Sequence, residues 1–245
     1  MALLLALLQP LQLALPPNVV PLPASYEPSD GNVELAPGFR FAAAPSSHTS
    51  ATLTDALARF TALSDGGGTA AGAAAEQLEA CMVHVSDASL VLNLDTDESY
   101  RVTILSSQPN ASCTIEAPTA FGAMHAMETV VQLINRADRS IAAARVVDKP
   151  RWPFRATMID TSRHWYPVDA ILRHIDAMAC VKMNVLHWVR TEAAFLTPTL
   201  STTTLAKGLG TPNLSNDVAI THHIRYVWLC VCVSVRTMCT AHCRH

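Results

Sequence analysis

The sequence predicts an α+β domain, then the opening of a (β/α)8 TIM barrel, then an irregular C-terminal tail. Three observations carry this. Between Leu78 and Glu116, short runs of strand composition alternate with turn signals and lead into a helical pattern opened by Pro118. From Ala156 to Trp188, a strand, a helix and a second strand follow one another, the unit from which such barrels are built. From Thr191 onward no hydrophobic period persists.

The 245 residues are half hydrophobic, with a formal net charge of −3, so a packed core is available and a basic stripe for nucleic acid is not. Residues 1–17 begin with the apolar run Met1 to Leu15, too short to span a membrane, which takes about 20 apolar residues. The run reads as a secretory signal peptide, the alternative being an N-terminal arm; Pro10 interrupts it and no basic n-region precedes it. Two glycosylation triplets, Asn110-Ala111-Ser112 and Asn213-Leu214-Ser215, agree with a secreted or lysosome-like destination. The cysteines number seven. Cys81 and Cys113 form a disulfide only if the fold brings their Cα atoms together, and Cys180 reads as a small hydrophobe on a helix.

Residues 18–147 form the expected first domain. Asn18 to Phe41 is extended and punctuated by prolines, with two short strand-like pieces. Ala51 to Leu63 places Leu53, Leu57, Phe60 and Leu63 on one helical face, and Ser64 to Gly68 stops it. No G-K-[ST] follows those glycines, so they read as a connector and not as a phosphate loop. Leu78 to Val85, Ser89 to Leu94, Tyr100 to Leu105 and Cys113 to Glu116 read as strands. The helix from Pro118 to about Ile134 carries Phe121, Met124, Val131 and Ile134 at helical spacing.

Residues 148–188 form the second segment. Pro150 and Pro153 hold the entry extended, and Ala156 to Asp160 is a short buried-type strand. Pro167 suits a helix start, and Ile171, Leu172, Ile175, Met178 and Ala179 then form one apolar face. Asn184 to Trp188 is the second strand. Barrel enzymes place their chemistry at the C-terminal ends of strands, which here means Asp160, Ser162, Arg163, His164 and His187. The structural alternative pairs Arg155 and Arg163 with Asp148 and Asp160, and buries His187.

The block DKPRWPFRATMIDTSRHWYPVDAILRHIDAMACVKMNVLHW resembles the start of the catalytic barrel of glycoside hydrolase family 20, the β-N-acetylhexosaminidases. The Asp97-Glu98-Ser99-Tyr100 run and the Thr119-to-Thr129 helix with Gln132-Leu133 resemble the domain that precedes that barrel. The resemblance implies an exo-acting glycosidase that removes terminal N-acetylglucosamine or N-acetylgalactosamine. In such enzymes the substrate's own acetamido oxygen attacks the anomeric carbon, an Asp orients that acetamide, and an adjacent Glu protonates the leaving oxygen. It implies that Arg163 grips hydroxyls of the terminal sugar, a task suited to a guanidinium fork. It implies no cofactor or metal, and N-acetylhexosamine-terminated glycans as partners. Dimers belong to the family's assemblies, and these residues do not decide the state.

After Trp188 the family continues His-Trp-His, an acid, then Ser-Phe-Pro, whereas this chain reads Val189-Arg190-Thr191-Glu192, with Glu192 a chance acidic match. The one Asp-Glu dipeptide, Asp97-Glu98, lies in the first domain, so no catalytic residue is identified and the chain is expected to be inactive. Residues 189–245 are unmatched. The spacing of Cys230, Cys232, Cys239 and Cys243 fits no structural zinc pattern. Valine codons begin with GT, so Val189 and the Val231-Cys232-Val233 run read as translated intron. The first domain alone, serving as a binding module, is the competing functional reading.

Overall fold

The computed structural model describes residues 18–65, 77–106, 111–161, 163–190 and 228–233. The apolar N-terminal run and both glycosylation asparagines lie outside them. In chain order the elements are β1 (Ser25–Ala43), α1 (Ala51–Ser64), β2 (Leu78–Val85), β3 (Tyr100–Leu105), β4 (Ser112–Ala117), α2 (Ala120–Leu133), β5 (Ser140–Asp148), β6 (Ala156–Asp160), α3 (Val168–Cys180), β7 (Val185–Arg190) and β8 (Trp228–Val233). They divide into two compact units, one up to Leu90 plus Asp97–Lys149, the other Val91–Thr96 plus the residues from Pro150 on.

In the first unit the strands close into a ring, β1-β2-β4-β3-β5, a closure that the α+β reading of the sequence did not include. One long strand makes closure work. β1 pairs antiparallel with β5 from Ser25 to Glu34, and parallel with β2 from Leu35 to Ala43. Its register slips between Pro28 and Asn32 and again between Leu35 and Arg40. The first slip holds Gly31 at φ +96 and the second spans Pro37, which has no N–H to give a ladder. What read as two short pieces is therefore one strand bent twice. By contrast, Ser89 to Leu94 is not a strand, and Leu90, Val91 and Leu94 are exposed.

Alternation along β2, β3 and β4 buries Val83, Val85, Val102, Ile104 and Ile115 on one face. α1 packs on β1 and α2, and α2 lies over β3 and β4. α1 starts with Ser50, whose side chain accepts from the Leu53 N–H. Its inward face is Leu53, Ala56, Phe60 and Ser64, turned from the face that periodicity picked out; Leu63 is left exposed. The small Ala56 and Ser64 let the helix approach β1, where Phe60 meets Phe41 edge to face at 6.4 Å. β2 and β4 are adjacent and parallel, and their register sets Cys81 opposite Cys113 with Cα atoms 4.5 Å apart. The two form a disulfide, buried on both sides.

In the second unit β6, β7 and β8 form a parallel sheet in that order. The tail, expected to be irregular but with strand propensity over Val227 to Val235, supplies a strand at Trp228–Val233, whose aromatic and β-branched composition pairs in register with β7. Val189 and Arg190 extend β7, and residues 191–227 and 234–245 lie outside the described set, as do all side chains of β8. α3 covers one face of the sheet: Ile171, Ile175 and Met178 pack with Leu186 and Trp188. Cys180, expected to pack inward, is exposed at the last position of the helix.

The N-terminal ends of β6 and β7 are locked together. Arg155 N–H donates to Asn184 Oδ1 at 3.0 Å, and Asn184 Nδ2 donates back to the Pro153 carbonyl at 2.8 Å. Arg155 Nε reaches the Lys182 carbonyl and Nη1 the Trp152 carbonyl, so Arg155 serves this lock. Such fixing at the entry end of parallel strands leaves the opposite end to carry side chains for chemistry.

Candidate functional site

At the C-terminal end of β6 the chain is tied to β7 before it turns towards α3. The Thr161 N–H donates to the Val189 carbonyl at 2.9 Å, and Trp188 Nε1 donates to Thr161 Oγ1 at 2.9 Å. Trp188 is thus a buried support for the loop and not an open aromatic face. Beyond it, Arg163 extends with its side chain 84% exposed, its Nε 3.6 Å from Asp160 Oδ2. An exposed pair of this kind contributes little stability and leaves most of the fork free for a ligand. His164 is exposed beside it, and Ser162 lies outside the described residues.

His187 stands in register with Met158. Thr157 bonds to His174 of α3 at 2.7 Å, and Leu186 and Trp188 pack on that helix, so Met158 and His187 occupy the other face of the sheet. His187 is half-buried there, and Met158 is 65% exposed. Arg163 and His187 thus sit on neighbouring strands or their ends, while the structure brings no carboxylate pair to that end of β6 and β7 among the described residues.

The first unit holds the other candidate. A groove of about 480 Å³ is lined by Tyr100, Arg101, Glu116, Asp148 and Lys149 among others. Its charges are taken up locally: Arg101 pairs with Glu116 at 3.5 Å and Lys149 with Asp97 at 3.7 Å. Its aromatic residue, Tyr100, is buried, and its hydroxyl donates to Asp148 Oδ2 at 2.8 Å beside Thr129 Oγ1, also at 2.8 Å. Burial, followed by the neighbouring Asp148 charge, raises the phenol well above its ordinary range. The groove therefore offers no exposed ring on which a sugar could stack.

The Asp97-Glu98 dipeptide is fully engaged in holding this unit together. Asp97 Oδ1 accepts the Ser99 N–H at 3.0 Å, a bond that lowers the carboxyl below its ordinary range, and the Asp97 carbonyl accepts from Thr119 Oγ1 at 2.7 Å. Glu98 Oε1 lies 2.9 Å from His125 Nε2, and both side chains are largely buried. Gly122 faces the same segment so closely that a Cβ there would stand 2.4 Å from the Ser99 carbonyl oxygen. Thr119, Gly122, His125 and Thr129 recur at helical spacing, so one face of α2 receives residues 97–100. That spacing was readable in the sequence; its partner segment was not.

Two family models match the chain. The model for the catalytic domain of glycosyl hydrolase family 20 matches residues 152–199, and the model described as beta-acetyl hexosaminidase like matches residues 19–133. The chain belongs to glycosyl hydrolase family 20. The catalytic-domain match runs past Trp188, where the resemblance read from the residues ended. This family 20 chain is 39% identical to beta-hexosaminidase subunit beta of Felis catus over 46% of its own length and 21% of that protein. It is 36% identical to the chitooligosaccharidolytic beta-N-acetylglucosaminidase of Bombyx mori, over 58% of this chain and 25% of that one. It thus spans a quarter or less of each of these relatives. In fold it is similar to the chitobiase of Flavobacterium johnsoniae, with a TM-score of 0.62 over 87% of this chain and 34% of that one, at 23% identity.

Proposed function

We propose that this family 20 chain carries the N-terminal domain and the opening strands of the catalytic (β/α)8 barrel of an exo-β-N-acetylhexosaminidase. Its substrates are glycans ending in N-acetylglucosamine or N-acetylgalactosamine. The observation that carries the reading is Arg163, exposed on a loop braced by Thr161 and Trp188 at the C-terminal end of a parallel strand. There its guanidinium binds adjacent hydroxyls of the terminal sugar.

The chemistry itself requires groups that this chain does not place there. In the substrate-assisted route the acetamido oxygen attacks the anomeric carbon, one carboxylate orients it, and a carboxylic acid protonates the departing oxygen. Beyond Trp188 the acidic residues are Glu192 and Asp217, which are not adjacent in sequence. The Asp97-Glu98 pair is committed to α2. The 245-residue chain is accordingly proposed to bind its sugar weakly and to turn over nothing. A buried disulfide and two glycosylation triplets support synthesis in the secretory pathway, for secretion or a lysosome-like compartment.

A chimera tests the role of Arg163. Residues up to Trp188, joined to the remaining barrel of the Bombyx mori relative, are expected to hydrolyse a chromogenic N-acetyl-β-glucosaminide. Arg163→Ala in that chimera should lower kcat/KM about 10- to 100-fold, the loss of charge-assisted hydrogen bonds to substrate. A folded, active chimera indifferent to this substitution contradicts the assignment. The competing reading, a binding module built from the first unit, finds no support in its groove.

A further inference from the structure

The contact between Glu98 and His125 joins a carboxylate to a titratable base in a part-buried setting, between a loop and a helix. The two atoms are 2.9 Å apart, with the histidine side chain 15% and the glutamate 7% exposed. This contact fastens residues 97–100 to α2, alongside the Thr119 bond to the Asp97 carbonyl and the Tyr100 bonds to Thr129 and Asp148. We infer that Glu98 and His125 form an acid-tightened latch, holding the segment before β3 on α2 more firmly at mildly acidic pH than at neutral pH.

The surrounding charges favour this. From the loop comes Asp97, matched by Lys149 at 3.7 Å. Along α2, Glu128 sits one turn beyond His125 and is held by Gln132 Nε2 at 2.9 Å. From β5 comes Asp148, which accepts from Tyr100 and from the Ala24 N–H. The setting is acid-rich, and His125 is the base it contains on α2. A neutral imidazole can keep the hydrogen bond, but a protonated one adds the attraction of an ion pair in a place where solvent screens little.

The sign follows from linkage. In the latch the carboxylate at 2.9 Å outweighs the cost that burial sets on a charged imidazole, so the folded state binds this proton more tightly than the unfolded chain, where an imidazole titrates at about 6.5. The added stability is complete below that range and is lost as the pH climbs past it. The latch operates whether or not the chain hydrolyses any glycan.

Thermal melts of the full chain at pH 7.5 and 5.5 test it. The wild type should melt several degrees higher at pH 5.5, while His125→Gln and Glu98→Gln should each lose most of that difference. His125→Arg, whose charge does not titrate, should give melting temperatures that differ little between the two pH values. A full acid-dependent rise retained in His125→Gln overturns the inference. Should that variant fail to fold, histidine-labelled wild type decides by NMR. A His125 imidazole that keeps its proton to higher pH in the native chain than in urea supports the latch; one that loses it at the same or lower pH refutes it.

Discussion

Replacing Cys81 and Cys113 together by alanine is expected to destabilise the first unit by about 3–4 kcal/mol, which is a large share of the margin by which a small domain is folded. The bond closes a loop of sequence separation 32. Loop-closure entropy for a span of that size accounts for most of the loss, and removal of two buried sulfur atoms from a packed sheet adds a smaller packing term. The position magnifies the effect. β2 and β4 are parallel and distant in sequence, so forming that pair early is costly, and the crosslink fixes its register from Cys81–Cys113 to Val85–Ala117. Urea denaturation without reductant is the measurement. A double variant with an unchanged midpoint and slope would show that the ring closes as readily without the bond.

Gly122→Ala should lose about 2 kcal/mol or more, although alanine is intrinsically the better helix former by about 1 kcal/mol. Sterics outweigh propensity here. The added carbon would meet the Ser99 backbone oxygen at 2.4 Å and the Glu98 backbone beyond it, atoms that cannot swing aside as a flexible side chain would. Residues 97–100 would have to lift from α2, weakening the Glu98–His125 and Tyr100–Asp148 contacts together. A lower denaturation midpoint, accompanied by faster amide exchange at Ser99 and Tyr100, is the expected result. A variant as stable as the wild type would mean that the loop is not seated as described.

These two positions also mark how far the sequence could be read. β2, β3, β4, α2, β6, α3 and β7 follow from apolar period and turn residues, because each buries one face or one stripe over several residues. The position of Arg163 was equally legible, since strand ends are where a parallel sheet exposes side chains, and it stands exposed past the end of β6. Ring closure was not legible. It depends on β1 serving two partners across two irregularities, at Gly31 and near Pro37, which a local pattern registers only as interruptions. β5 was missed because Ala142 to Ala144 give little alternation, although Arg145 to Asp148 do alternate against β3. Ser89 to Leu94 had the composition of a strand but forms none, and its leucines remain exposed. The Asp97-Glu98 pair was recognisable as part of the first domain, but its attachment to His125 and Thr119 needed the packing of α2. Cys180 sits at the last position of α3, where the apolar stripe has already turned away from the sheet.

The central proposal is that Arg163 binds the terminal sugar and that these 245 residues supply no working pair of carboxylates. Hydrolysis of a chromogenic N-acetyl-β-glucosaminide by the purified 245-residue chain, at mildly acidic pH, tests it most directly. The rate should equal the background, and Glu98→Gln should leave it unchanged. Turnover above background that survives repurification, and above all turnover abolished by Glu98→Gln, would contradict the account.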